Sequence, residues 1–503
     1  MSARHRMPCR VAMLAALALA NLAAPVAQSE ESSRGIPDLV ADPLLTRPPV
    51  LDAGAVLPGD EAPIACPARV DFTQALSLTD AVDTALCADP QAMAAWANIK
   101  LQAATVGEAR AAYLPTLSVS LGRQNSDTRY PSFSSSNSNV TGNSSYVALN
   151  WRLFDFGERA ANRASARDLL AAAMASYDAA LQKTLGATVQ AYFDAVTARA
   201  AYRARTRTAQ LAGETLAAAQ RRELNGVTGR SDTLQAQTAL ARAQLAELRA
   251  AGDRDKTRAT LVYTLGLPAG TSIVLPQNSA LPLKQDIADL AEWLDVAEAR
   301  HPAIKAAKAQ WEAAREKITS VRSQGLPTVD FGVNFYQNGY PNQSLSAVHS
   351  NTTVVGVTLS IPLFEGFSRT YKVREAQARA DQSEAQLHDA QRETLGDVVK
   401  AHADAVSSLA SLDASATLLE SAKAALVSSR NRYEHGAADI LETLNAQSAL
   451  ADAEQERIRS EADWRAARLR LMAAAGVLGQ QAILNIDVPA SAANSAVMRR
   501  PDQ

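Results

Sequence analysis

The sequence predicts a mostly helical α+β fold, internally duplicated, in which long antiparallel helical hairpins accompany four short β-strands. Three observations predict it. First, anchors recur at a fixed distance: Gly226, Leu234, Ala236-Gln237 and Leu240 return as Gly436, Leu444, Ala446-Gln447 and Leu450 (436 − 226 = 210). Pro90 and Leu114-Pro115 return as Pro302 and Leu326-Pro327, and Leu153-Phe154-Asp155-Phe156-Gly157-Glu158-Arg159 returns as Leu363-Phe364-Glu365-Gly366-Phe367-Ser368-Arg369. Self-similarity on this scale marks an ancestral duplication. Second, each copy switches hydrophobic period from helical to two and back again. Third, each copy holds a run of more than sixty residues without proline, from about Glu158 to Leu224 and from about Ser368 to His435.

The first residues set the compartment. Arg4, Arg6 and Arg10 precede an apolar run from Val11 to Ala20, and small residues then suit cleavage after Ala20 or Ala27. This is the pattern of a secretory signal peptide, with a core too short to span a bilayer. Cys9 precedes the apolar run, so it cannot be the acylated residue of a lipoprotein. No later stretch approaches the ~18 consecutive apolar residues of a transmembrane helix. An exported chain meets oxidising conditions, where Cys66 and Cys87 have the option of pairing; the sequence leaves that open. Residues 28–71, with Arg47-Pro48-Pro49 and Ala62-Pro63, read as an extended or loosely ordered segment.

Composition narrows the class. Lys+Arg number 50 against 52 Asp+Glu, so the basic excess of a nucleic-acid binder is missing. Aromatics make up only 5%, and the abundance of Ala, Gln, Glu and Arg suits closely packed helices.

In the first copy Leu78 to Leu86 reads as a short helix. Asp89 then caps a second, with Pro90 at its first position, that runs to about Tyr113. Pro115 stops it. Leu117, Val119 and Leu121 then alternate with Ser118 and Ser120, and Val147, Leu149, Trp151 and Leu153 alternate with Ala148, Asn150 and Arg152. The second copy repeats the alternation at Val329, Phe331, Val333 and Phe335, then at Val355, Val357, Leu359 and Ile361. These are four strands of about ten residues, each with one apolar and one polar face. The Ser/Asn/Gly-rich stretches 123–145 and 337–352 read as solvated loops between them.

Such strands fit a half-buried antiparallel sheet. They fit equally a membrane β-barrel, whose strands need about 9–11 residues with apolar side chains outward. The flanking long helices offer no core for the first option. Four strands cannot close a barrel, and an open edge cannot sit in lipid, so the second option requires several chains. Each long helix, roughly 100 Å at 1.5 Å per residue, turns at Gly226 or Gly436 and returns through a helix beginning near Ser231 or Asp439. Ser231 or Asp232 suits the cap of the returning helix.

With these features in place the chain closely resembles the TolC-like outer membrane factor family over about residues 72–480. The resemblance implies a homotrimer with four transmembrane strands per chain in a twelve-stranded outer-membrane barrel, standing on a periplasmic α-barrel of hairpins. It also implies a mixed belt drawing on residues around 266–290 and the C-terminal tail. The chain then divides into a signal peptide at 1–27, the Pro-rich segment 28–71, and a first repeat 72–285 with strand pair 116–154 and hairpin 158–265. A second repeat, 286–480, carries strand pair 328–362 and hairpin 368–476, and a tail covers 481–503. The segment before Phe72 departs from the minimal family pattern.

The resemblance places a periplasmic gate at the hairpin tips. Tyr433, three residues before Gly436, matches the gating tyrosine; Ser231 and Asp232, after Gly226, match its hydroxyl and carboxylate partners. Ala438 stands where the family has a gating arginine, with Arg230 as the nearest substitute. The constricting carboxylates fall on Glu442 and Asn445, leaving one acidic ring and predicting weak cation selectivity. Plainer readings stand beside these: Asp232 as a helix cap, Tyr433 as a ring packed between hairpins, Glu442 as a solvated charge.

The six histidines are scattered with none at H-x-x-x-H spacing, and there is neither a P-loop nor a G-x-S-x-G elbow. The sequence therefore points away from an enzyme and calls for no cofactor or metal. The expected role is a passive duct in type I protein secretion, with an outer-membrane efflux component as the alternative and a periplasmic coiled-coil scaffold as the reading from another class. The partners the resemblance implies are a periplasmic adaptor, an inner-membrane ABC transporter or proton-driven pump, and outer-membrane lipid. The absent acylation cysteine favours secretion.

Overall fold

The computed structural model describes residues 42–48, 54, 56, 57, 64, 66, 72, 74–129, 131, 138–276, 287–338 and 350–479. The expected signal peptide and the 481–503 tail lie outside them. Contacts divide the chain into Met1–Leu45 and Thr46–Gln503. Of the first unit only 42–45 are described, a turn in which Leu45 N–H donates to the Asp42 carbonyl at 3.1 Å.

In the second unit each repeat opens with two helices. The first pair is α1 (Leu78–Ala88) and α2 (Pro90–Ala111). Ser77 caps α1 by accepting from Asp80 N–H at 3.0 Å, and Asp89 caps α2 by accepting from Gln91 and Ala92 N–H at 3.0 and 3.3 Å, with Pro90 at N1 as the sequence predicts. Strands β1 (Thr116–Thr128) and β2 (Ser138–Phe154) follow, then the hairpin of α3 (Glu158–Leu224) and α4 (Arg230–Thr264). The second repeat runs α5 (Leu290–Arg300), α6 (Pro302–Ser323), β3 (Thr328–Asn338), β4 (Ser350–Ser360), α7 (Ser368–Glu434) and α8 (Ile440–Ala474). α3 and α7 each hold 67 residues, and α4 and α8 each hold 35.

The strands form one antiparallel sheet in the order β1-β2-β3-β4. Its register brings the apolar alternations onto one face: Leu117 lies opposite Leu149, Leu149 opposite Val333, and Val333 opposite Val355. The other face carries Arg152, whose Nε donates to Asp330 at 3.0 Å, and Tyr146, whose hydroxyl donates to Asn334 at 2.9 Å. A bulge between Arg152 and Phe154 shifts the register at the end of β2, where Phe154 still pairs with Val329. The first pair is longer than the sequence suggests. Residues 123–128 and 138–145, read as loop from their Ser, Asn and Gly content, pair from Arg123–Asn143 to Thr128–Ser138. Polar residues belong in a strand wherever both faces meet water, so composition there is no guide to pairing.

At the foot of the sheet Arg159 joins three elements. It pairs with Asp155 at 2.6 Å and donates to the carbonyls of Arg152, Leu153 and Ala112 while lying 4.7 Å over the Tyr113 ring. Carbonyls freed at the ends of β2 and α2 are thereby satisfied.

The helices lie side by side. Beneath the sheet the order is α2, α3, α6, α7; toward the hairpin tips it is α4, α3, α8, α7. The seams are thin because the buried residues are small: eleven of the nineteen buried positions of α3 are alanine. Between the two levels α1 and α3 bury Leu78, Val82, Leu181, Leu185, Tyr192 and Phe193 with Leu261 and Leu265 of the returning chain. Three described residues of the segment before Phe72, Leu57, Ile64 and Cys66, meet this belt. Leu57 is buried in it, Ile64 packs against it, Leu76 N–H donates to Val274 at 2.8 Å, and Cys66 is disulfide-bonded to Cys87 of α1. Among the described residues no helix is long and apolar enough to cross a membrane, and no group of metal-ligating side chains is present.

Candidate functional site

The two hairpin tips share one backbone. Gly226 and Gly436 both have φ +72°, the left-handed conformation that glycine adopts without a Cβ penalty. In the first tip Gly226 N–H donates to Glu223 at 2.9 Å and Val227 N–H to Arg222 at 2.9 Å; in the second, Gly436 N–H donates to Tyr433 at 3.0 Å and Ala437 N–H to Arg432 at 2.8 Å. Asp232 N–H then donates to Gly229 and Glu442 N–H to Asp439, at 3.1 and 3.2 Å, as the returning helices begin.

The expected cap is displaced. α4 starts at Arg230 on Gly229, whose place at the N-cap leaves Ser231 and Asp232 inside the first turn rather than capping it. There the Asp232 carboxylate faces the positive end of the helix dipole, and Ser231 Oγ donates to its Oδ1 at 3.2 Å. The helix begins a residue early because the backbone bond from Asp232 N–H to Gly229 already closes the first turn.

Tyr433 is 7% exposed and packs with Ala219, Ala236 and Ile440, flanked by Leu216 and Leu444. The ring thus joins α3 and α4 of the first hairpin to α7 and α8 of the second. The Arg222 guanidinium lies 4.6 Å over it, and Arg222 Nη1 donates to the Tyr433 carbonyl at 2.8 Å. The Tyr433 hydroxyl is buried without a hydrogen-bond partner, so the bond to Asp232 suggested by the resemblance is not made in this structure. Burial pushes the phenol above its ordinary value; Arg222 opposes the rise, and Asp232 and Asp439 add to it.

Glu442 is held across its own turn. Arg432 Nη1 lies 2.7 Å from Glu442 Oε1, and Arg432 Nη2 reaches the Ala437 carbonyl at 3.4 Å. Asn445, one helical turn on and exposed, lines a groove of ≈ 580 Å³ with Leu441, Leu234 and Arg242. The cation at the second tip is thus Arg432, whereas Arg230 is an exposed residue of the first. Arg222 and Arg432 escaped the sequence reading, although both stand ten residues before an acid and 210 residues apart.

Similarity to known proteins agrees with the duplicated fold. A family model described as outer membrane efflux protein matches residues 81–267 and 293–477, one segment for each repeat. Protein CyaE of Bordetella pertussis is 37% identical over 439 residues, covering 87% of this chain and 91% of that protein. The alkaline protease secretion protein AprF of Pseudomonas aeruginosa is 28% identical over 262 residues, 52% of this chain and 54% of that one. The solved structure of the outer-membrane channel OprN superimposes with a TM-score of 0.70 at 18% identity, over 84% of this chain and 99% of that chain; this likeness speaks to fold alone.

Proposed function

This chain belongs to the outer membrane efflux protein family, and we propose from that premise that it is a homotrimeric duct for type I protein secretion across a Gram-negative outer membrane. The observation that carries the reading is the open four-stranded sheet. It has an apolar face, a polar face crossed by Arg152–Asp330, and two edges, β1 and β4, that no strand pairs among the described residues, beside an equally open strip of four helices. An open edge is excluded from lipid. Copies joined edge to edge bring the apolar face to the hydrocarbon and the polar face to a lumen. Three copies supply twelve strands, the number the family resemblance implies.

The helical strips continue the lumen into the periplasm, and the hairpin tips bound its entrance. Tyr433, Ser231 and Asp232 then belong to the gate, with Glu442 and Asn445 at the constriction. Arg432 neutralises the Glu442 carboxylate, which supports a weakly charged entrance rather than a cation filter. A passive duct draws its energy elsewhere, from an inner-membrane transporter reached through a periplasmic adaptor. The name of the relative AprF, an alkaline protease secretion protein, supports protein as cargo.

The test is deletion of this chain in its own host, with restoration by the intact chain. Loss of a protein from the culture supernatant with unchanged drug susceptibility is expected. Drug sensitisation with an unchanged supernatant would move the function to efflux, and no change in either would remove the duct reading.

A further inference from the structure

The two tips follow one plan and differ in one bond. Arg222 and Arg432 are repeat mates, as are Glu223 and Tyr433, and Asp232 and Glu442, each pair 210 residues apart. Their turn glycines share φ and their turn hydrogen bonds match pair by pair. In the second tip the arginine folds across its own turn to the carboxylate, Arg432 to Glu442 at 2.7 Å. The same backbone positions in the first tip hold Arg222 and Asp232, yet there the arginine leaves its own hairpin. It lies on the Tyr433 ring and donates to the Tyr433 carbonyl at 2.8 Å, while its Nε stays buried without a partner. Among the described residues the Asp232 carboxylate keeps the Ser231 hydroxyl, at 3.2 Å.

We infer that Arg222 is a positioning residue with two seats, stapling the hairpins together while on Tyr433 and freeing them when it folds back onto Asp232. The inference rests on the tips bounding the entrance of a duct. The second seat is one the molecule already displays, in Arg432 and Glu442. Aspartate is one methylene shorter than glutamate, a difference that the long arginine side chain spans. The occupied seat leaves one buried donor unsatisfied, so it is held by the Tyr433 ring and carbonyl alone. Leaving it separates two rigid hairpins; taking the other supplies a carboxylate to a guanidinium that would otherwise face water alone. Asp232 on this account favours the open state. A latch in which Asp232 holds Tyr433 gives the opposite sign.

The experiment is single-channel recording in planar bilayers on the full-length protein extracted from outer membranes. Arg222→Ala is expected to raise the mean conductance severalfold, and Asp232→Asn to lengthen the closed intervals. The double variant should behave as Arg222→Ala, because without the arginine the second seat has no occupant. Unchanged conductance in Arg222→Ala, or openings in Asp232→Asn as long as or longer than in the parent, would overturn the inference. If Arg222→Ala does not assemble, Asp232→Asn decides alone, since Asp232 lies outside the buried cluster. A parent protein that forms no pore would defeat the duct reading instead, so the two failures are told apart.

Discussion

At the scale of single residues, glycines hold the repeats together in two distinct ways. Gly266 and Gly476 end α4 and α8 with φ +68° and +71°, repeating the turn bonds of the hairpin tips. They also lie against the next element. A Cβ at Gly266 would stand 2.8 Å from Ala88 Cβ, and one at Gly476 would stand 2.8 Å from Pro302 Cδ and 2.9 Å from His301 Cα. Gly226 has the same φ but nothing within 4 Å. Gly476→Ala should therefore destabilise by the left-handed strain, about 1 kcal/mol, plus an overpacking cost of about 1–3 kcal/mol. Gly226→Ala should show the strain alone. Urea denaturation in detergent checks this, and equal shifts of the two midpoints would refute the packing argument. The turn glycines were legible because they recur as an identical residue. Arg222 and Arg432 recur just as regularly, but arginine is common on solvated helices. At equivalent backbone positions only the side-chain contacts show that Arg432 folds across its own turn while Arg222 reaches the neighbouring hairpin.

At the scale of elements, the sheet was legible where its faces differ and illegible where they do not. Alternation at 117–121 and 147–153 located β1 and β2, and the Cα register confirms the shared apolar face. Beyond Arg123 the strands carry polar residues on both faces, and period two vanishes although the ladder continues to Thr128–Ser138. The disulfide was undecidable for a related reason: Leu57 and Ile64 meet the core beside Cys66 through contacts distant in sequence, which no local pattern announces. The facial assignment makes a contrast at neighbouring positions. Val357 stands opposite Phe331 on the apolar face, and Thr358 stands opposite Asp330 on the polar one. Val357→Lys should cost roughly 2–4 kcal/mol if it meets hydrocarbon near the bilayer midplane. Thr358→Lys gains Asp330 as a neighbour and should leave stability nearly unchanged while altering the ion selectivity of the pore. Unfolding from lipid vesicles in urea separates them; the reverse order would place the polar face in the membrane.

At the scale of the whole molecule, β1 and β4 are the outer strands of the sheet, and α4 and α7 end the helical strip near the tips. β4 is exposed along its length, and α4 buries only Ala236, Leu261 and Val262. The low burial of β4 and α4, both at margins, is what is expected if opposite margins of neighbouring copies meet. Proline tests this without knowledge of the joining register. In an antiparallel edge strand successive N–H groups point alternately to the neighbour and away from it, and proline removes one N–H. If β4 were a free edge, one of Val355→Pro and Gly356→Pro would remove only an outward N–H, which a free edge tolerates. If β4 pairs with β1 of the next copy, both substitutions break a ladder bond and both should abolish the cross-linkable oligomer in detergent. Retention of the oligomer by either variant would place the seam elsewhere. Loss in both would make closure a property of the ladder itself, with the lumen existing only in the assembled protein.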